Sequence, residues 1–72
     1  MEITLKEQAF EVEGKVVKLE RGRFIVQCDH GLVTCTLSGK MRTRKIRVVT
    51  GDTVIVEMGG YSVVNGRITK RL

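Results

Sequence analysis

The sequence predicts an all-β fold, a small closed barrel of five strands with one short helical insertion. Three observations lead to this prediction. Apolar and polar residues alternate with a period of two in successive short segments, turn residues separate these segments, and 72 residues suffice for one domain only. The chain contains eight glycines and no proline, so glycine and polar residues supply the turns.

Composition narrows the possible classes of protein. Apolar residues make up 42% and charged residues 29% of the chain, which is typical of a folded domain and too apolar for a disordered one. No apolar run exceeds three residues, whereas a membrane-spanning helix needs about 20. We therefore expect a folded domain with no membrane contact.

The first strand is predicted over residues 10–19. Its alternation slips at Val16-Val17, which indicates a bulge where the strand bends to serve two sides of a barrel, and Gly14 eases that bend. Residues 20–23 form a turn. The residues expected to face inward are Phe10, Val12, Gly14 and Val16.

A hairpin follows, and its inward residues alternate on both strands. If His30 and Gly31 are the two central turn residues, Asp29 opposes Leu32 and the apolar residues face one another. The predicted cross-strand pairs are Cys28 with Val33, Val26 with Cys35, and Phe24 with Leu37.

After Leu37 the alternation stops. Ser38 is predicted to be the N-cap of a helical turn over residues 39–43, with Met41 inward and Lys40, Arg42 and Arg44 outward. Thr50-Gly51-Asp52 is predicted to turn into a fourth strand, residues 53–58, and Gly59-Gly60 to link it to a fifth, about 63–70. The inward residues of the fourth strand are Val54, Val56 and Met58.

These elements together predict a five-stranded OB-type Greek-key barrel over residues 10–72, with an SH3-like barrel as the nearest alternative. Closure of the barrel removes exposed strand edges. Residues 1–9 lack alternation, so we expect a flexible N-terminal arm.

The positive charge is concentrated in the second part of the chain. The formal net charge is +5, but residues 40–72 contain eight Lys or Arg and only two acids. Five of these cations lie within residues 40–47, where there is no acid. Like charges this close repel each other unless a polyanion neutralises them, so this segment favours a nucleic-acid contact.

Catalysis and metal binding find little support. His30, the only histidine, is predicted at a hairpin tip, where a role as a turn residue is favoured over a catalytic one. Cys28 and Cys35 are expected on the diagonal of the hairpin, about 7–8 Å apart, too far for a disulfide and without partners for zinc. We expect no enzymatic activity, no metal and no cofactor.

The aromatic residues decide between modes of nucleic-acid binding. Alternation turns Phe10 and Phe24 inward, so Tyr61 is the only candidate for stacking on a base. An aromatic platform for single strands is therefore not expected. Arginine-rich projections on a rigid barrel suit a folded RNA whose phosphates converge on one site.

From about Phe10 to Arg71 the chain closely resembles bacterial translation initiation factor one. The residues that carry the resemblance are Ser38-Gly39-Lys40-Met41-Arg42, Ile46-Arg47, Thr50-Gly51-Asp52, Val54, Val56-Glu57, Tyr61 and Gly66-Arg67-Ile68. The resemblance implies an OB barrel that binds ribosomal RNA at the aminoacyl (A) site of the small subunit. It further implies that the protein excludes tRNA there and supports initiation factors two and three.

Matching the family motif residue by residue assigns RNA contact to Lys40, Arg42, Arg47 and Arg67. Charge and position add Arg44, Lys45, Lys70 and Arg71. The chain departs from the family pattern at Lys45, at His30-Gly31, at Gly60-Tyr61-Ser62 and in a shorter first turn.

We expect a monomer in the cytoplasm, or in the plastid stroma if the gene is plastid-encoded. The alternative from another class is a protein-interaction module, an OB or SH3-like barrel that binds an acidic or peptide partner.

Overall fold

A computed structural model describes residues 10–59 and 64–72, and the five predicted strands are all present. They are β1 (Phe10–Glu20), β2 (Arg23–Cys28), β3 (Gly31–Leu37), β4 (Thr53–Met58) and β5 (Asn65–Arg71), with helix α1 (Gly39–Thr43) between β3 and β4. The strands close into one barrel in the order β1-β2-β3-β5-β4, in which only β3 and β5 pair in parallel. This confirms the OB-type barrel.

The predicted irregularity in β1 is confirmed. The register between β1 and β2 shifts between Val16 and Lys18, and β1 pairs with β4 before the shift, up to Lys15. Gly14 lies just before the bend and is buried; a Cβ there would stand 2.5 Å from Val26 Cγ1 and 2.8 Å from the Gln27 carbonyl oxygen. The strand therefore approaches β2 at a distance that only glycine permits.

The core contains most of the residues that alternation turned inward. Its members are Val16, Val26, Cys28, Val33, Cys35, Met41, Val48, Val54, Val56, Met58 and Ile68, and Val12, Phe24, Leu37 and Ile46 pack against it partly buried. Phe10 is an exception, because 45% of it is exposed. It is the first residue of β1, and alternation along a strand does not reveal where the barrel interior ends.

The predicted hairpin register is wrong by two residues. Cys28 pairs with Gly31, Val26 with Val33, and Phe24 with Cys35, so the turn residues are Asp29 and His30. Gly31 keeps a positive φ of 135°, but as the first residue of β3. A shift of two residues leaves every side chain on its predicted face, so the apolar pattern cannot distinguish the two registers.

The topology collects several chain segments at one end of the barrel. β1, β3 and β5 run in the same direction, so they finish at the end where β2 and β4 begin. Helix α1 follows β3 at this end and packs against β5. We call it the α1 end. None of the helices in the described part of the chain is long and apolar enough to cross a membrane.

Candidate nucleic-acid interface

Helix α1 begins as the sequence predicts. The Ser38 Oγ accepts a hydrogen bond from the Met41 N–H at 3.2 Å, which caps the first turn. The Ser38 N–H donates to the Ile68 carbonyl oxygen at 2.9 Å, so the start of the helix is attached to β5. Met41 is buried beneath the helix, which leaves Lys40 and Arg42 exposed to solvent. The predicted directions of these side chains are confirmed.

The segment after α1 stays close to the helix. The Lys45 N–H donates to the Arg42 carbonyl oxygen at 3.1 Å, and the Ile46 N–H donates to the Met41 carbonyl oxygen at 3.0 Å. Lys45 has a φ of 55°, a conformation that non-glycine residues adopt rarely. Ile46 packs against the core, while Arg44, Lys45 and Arg47 are exposed. The two backbone hydrogen bonds and the packing of Ile46 thus hold this segment against the barrel, with three cations at its surface.

The end of β5 reaches the same surface. The Arg71 Nη1 donates to the Arg47 carbonyl oxygen at 2.8 Å, and Lys70 is exposed beside it. A cleft of about 350 Å³ lies between the two segments. Its lining residues are Lys40, Met41, Arg44, Ile46, Thr69, Lys70 and Arg71. Ile46 and Thr69 were not predicted as site residues, since nothing in the strand pattern distinguishes them from other half-buried residues.

Arg67 has a different environment from the other predicted contacts. It pairs across the strands with Glu57 and forms an ion pair with that carboxylate. A second cleft, of about 320 Å³, places this pair beside Lys40 and Lys70. Arg67 therefore borders the interface with its charge compensated. Tyr61, the predicted stacking residue, lies outside the described residues.

Seven cations form what we call the cation cluster: Lys40, Arg42, Arg44, Lys45, Arg47, Lys70 and Arg71. In the ranges 10–59 and 64–72 none of them forms an ion pair with a carboxylate, and the ion pairs there are Lys18–Glu20 and Arg67–Glu57. The nearest acid in sequence, Asp52, accepts a hydrogen bond from the Val49 N–H at 2.9 Å. The cluster therefore presents an uncompensated positive surface, which attracts polyanions.

The thiols and other ligating groups offer no comparable site. Cys28 and Cys35 are buried free thiols. Their predicted diagonal placement is wrong, because Cys35 lies opposite Phe24 and Cys28 opposite Gly31. Burial raises the pKa of Cys35 to about 12, with Cys28 as the smaller cause, so this thiol stays protonated at neutral pH. Among the described residues no three His, Cys, Asp or Glu side chains come together.

A family model and a similar solved structure identify one family. A family model for translation initiation factor 1A and its bacterial counterpart, initiation factor one, matches residues 1–72. The solution structure of translation initiation factor one from the Wolbachia endosymbiont strain TRS of Brugia malayi is similar, with a TM-score of 0.77 and 42% identity over 93% of this chain and 82% of that chain.

Two larger proteins share the barrel. YjeQ from Thermotoga maritima has a TM-score of 0.73 at 25% identity, and YloQ, a circularly permuted GTPase, has 0.74 at 22%. Each match covers 88% of this chain and 23% of the other. The match to YloQ shows a common fold alone.

Proposed function

This chain belongs to the family of translation initiation factors 1A and one, and from that premise we propose which part of the ribosome it binds and with which residues. It functions in translation initiation. Within that process it binds ribosomal RNA at the A site of the small subunit, excludes tRNA from that site, and supports initiation factors two and three. It acts by binding and occupying space, as a monomer, without catalysis or a cofactor.

The cation cluster is the observation that carries this proposal. Its seven side chains come from α1, from the segment after it and from the end of β5, and four of them, Lys40, Arg44, Lys70 and Arg71, line one cleft. Each Arg or Lys that meets a phosphate releases a condensed counterion, which favours binding at low salt. The guanidinium groups can also bind phosphate through two parallel hydrogen bonds. A folded RNA, with phosphates converging from several directions, fits this surface.

The members of the cluster differ in how firmly they are held. The side chains of Lys40 and Arg42 start from a capped helix whose Met41 is buried, and Arg71 is attached to the Arg47 carbonyl oxygen. These residues are the primary contacts. Arg67 contributes less, because Glu57 already neutralises it. We assign Tyr61 a stacking role; the N-terminal arm predicted over residues 1–9 lies outside the described residues.

Charge reversal in the cluster tests the proposal. The variant Arg42→Glu with Arg44→Glu should lose affinity for small subunits, most strongly at low salt, while its unfolding transition stays close to that of the parent. Arg42→Gln and Lys15→Gln form a matched pair, since each removes one exposed positive charge and only the first lies in the cluster. Equal affinity losses in this pair would mean that net charge alone acts. If the folded double variant binds small subunits with unchanged affinity, the cation cluster is not the binding surface.

A protection footprint tests the position on the ribosome. We expect the bound protein to protect nucleotides of the decoding region, and excess free RNA to displace the protein. Protection confined to another region would contradict A-site binding. If excess free RNA does not displace the protein, the result would instead favour a protein as the binding partner. That partner would be in the same compartment as this chain, the cytoplasm or the plastid stroma.

A further inference from the structure

The first part of β1 is paired on one side only. Residues 10–15 pair with β4, but pairing with β2 begins at Lys15, where Gln27 lies opposite. Within residues 10–59 and 64–72, no strand pairs with the other side of residues 10–13, which we call the free edge. Since β1 starts at the end of the barrel away from α1, the free edge lies at the end opposite the cation cluster.

The direction of the backbone groups shows which of them are available at the free edge. The Val16 N–H donates to the carbonyl oxygen of Asp52, just before β4, at 2.9 Å, so the backbone groups of Val16 point toward β4. Successive residues of a strand point their backbone groups to opposite sides. Because the pairing of residues 10–15 with β4 is regular, Glu11 and Glu13 turn their N–H and C=O groups to the free edge.

An open groove of about 630 Å³ lies along this part of β1, and we call it the β1 groove. Its lining includes Glu11 and Glu13, together with Asp29 from the turn between β2 and β3. All three are exposed, and within the described ranges none of them forms an ion pair. Lys15 is the single cation in the lining, so the groove has a net negative charge.

The inner face of the free edge is apolar. Val12 packs half-buried against the core, and Phe10 is 45% exposed at the end of the barrel. A strand added at this edge would place its side chains alternately beside the acids and beside these two apolar residues. The free edge therefore fits an extended segment in which basic and apolar residues alternate.

The charges distinguish this occupant from two others. A nucleic acid would bring phosphates to three carboxylates, which repel them. A second copy of this chain, paired edge to edge, would place Glu11 and Glu13 opposite the same acids, and like charges opposite each other destabilise a strand pair. An extended basic segment of another protein supplies both the backbone groups and the charge that the edge lacks.

We propose that the free edge of β1 binds an extended protein segment of alternating basic and apolar residues by strand addition. The backbone of this segment pairs with Glu11 and Glu13, and its Lys or Arg side chains face these acids and Asp29. Its apolar side chains cover Phe10. Because the free edge is at the opposite end of the barrel, the partner leaves the cation cluster unoccupied. The inference goes beyond the proposed function and does not depend on it.

The experiment uses the full chain and a short synthetic peptide in which lysine alternates with valine. Hydrogen exchange, measured by NMR, should be fast at the Glu11 and Glu13 amides of the free chain and at least about tenfold slower with saturating peptide. The Val12 amide points to β4 and should stay protected in both states. The same peptide N-methylated at every residue keeps its charges but has no backbone N–H, so it should bind at least about tenfold more weakly.

Charge reversal supplies a matched pair of variants. Glu13→Lys and Glu20→Lys each reverse one exposed acid of β1, and only the first lies on the free edge. Glu13→Lys should weaken binding of the unmethylated peptide about fivefold, because an opposite-charge cross-strand pair becomes a like-charge pair. Glu20→Lys should leave this binding nearly unchanged. Both variants should unfold at temperatures close to that of the parent, since both positions are exposed.

The opposite results overturn the inference. If the unmethylated peptide does not bind, the edge does not accept such a segment. If the Glu11 and Glu13 amides are already protected in the free chain, the chain itself covers the edge. Equal binding of the two peptides, or equal losses in the two variants, would show charge attraction without strand addition. These measurements use no ribosomes, so their failure leaves the proposed function untouched, and the Arg42→Glu with Arg44→Glu variant tests that function separately.

Discussion

The guanidinium of Arg71 donates a hydrogen bond to the backbone carbonyl oxygen of Arg47, with 2.8 Å between Nη1 and O. This bond joins the last residue of β5 to the segment between α1 and β4, 24 positions earlier in the chain. Since both residues also carry an exposed cation, the contact sets the spacing of charges in the cluster as well as the position of the segment.

Arg71→Lys should separate these two effects. A lysine keeps the charge but lacks the planar fork that reaches the carbonyl oxygen, so the segment after α1 should open more often. We expect faster amide hydrogen exchange at residues 46–48, measured by NMR, with a salt dependence of ribosome binding close to that of the parent. Lys70→Arg serves as the control and should leave exchange unaltered. Equal exchange in parent and Arg71→Lys would contradict the proposed restraint.

The cap of α1 gives a stability prediction. Ser38→Ala removes the acceptor for the Met41 N–H and should lower the free energy of unfolding by about 1 kcal/mol. Denaturant unfolding measures the loss, and Ser38→Thr, which keeps a hydroxyl acceptor, should recover most of it. A stability unchanged by the alanine would show that the cap bond does not contribute. Affinity for small subunits should fall with the alanine variant too, because α1 positions Lys40 and Arg42.

Replacing each of two glycines with alanine should change the stability of the protein in opposite directions. Gly14→Ala places a Cβ 2.5 Å from Val26 Cγ1 and 2.8 Å from a backbone oxygen, and should destabilise the barrel by about 1–3 kcal/mol. Gly39→Ala meets no atom within 4 Å and lies at the start of α1, so it should stabilise by about 0.4–1 kcal/mol. Thermal unfolding of both variants checks the contrast. If Gly14→Ala and Gly39→Ala unfold at the same temperature, β1 and β2 do not approach each other as closely as described.

The buried thiol of Cys35 predicts a loss of stability in alkali. Its folded pKa is about 12, above the ordinary thiol value of 9.0, so the unfolded state loses the proton first as pH rises. The stabilising contribution is present in full below pH 9.0 and is lost as the pH rises toward about 12. Urea unfolding between about pH 8 and about pH 11 should show this decline, and Cys35→Ala should reduce its slope. If stability declines with pH at the same slope in the parent and in Cys35→Ala, the Cys35 thiol is not the cause of the decline.

Breaking the ion pair between Glu57 and Arg67 should increase the affinity for small subunits. Glu57→Gln releases the Arg67 charge beside Lys40 and Lys70, so affinity for small subunits should rise several-fold and its salt dependence should steepen. Stability should change little, because exposed ion pairs contribute about 0–1 kcal/mol. Lower or unchanged affinity would indicate that Arg67 stays outside the interface when RNA is bound.

Much of the molecule follows from local patterns in the chain. The bounds of α1, the Ser38 cap, the burial of Met41 and the inward face of β4 are all confirmed, because each depends on residues within a few positions of one another. The hairpin between β2 and β3 shows the limit of such patterns. Period-two alternation is satisfied equally by registers two residues apart, so it placed the turn at residues 30–31 when Asp29 and His30 form it.

The amino-acid sequence by itself determined the strand faces, the helix and the acid-free basic segment, since those depend on short-range periodicity, capping and composition. Only the tertiary structure decided that Arg71 joins Arg47, that Glu57 neutralises Arg67, and that the turn between β2 and β3 lines one groove with the start of β1. These relationships arise when the barrel closes, because strand order and direction bring together residues that no local interaction relates.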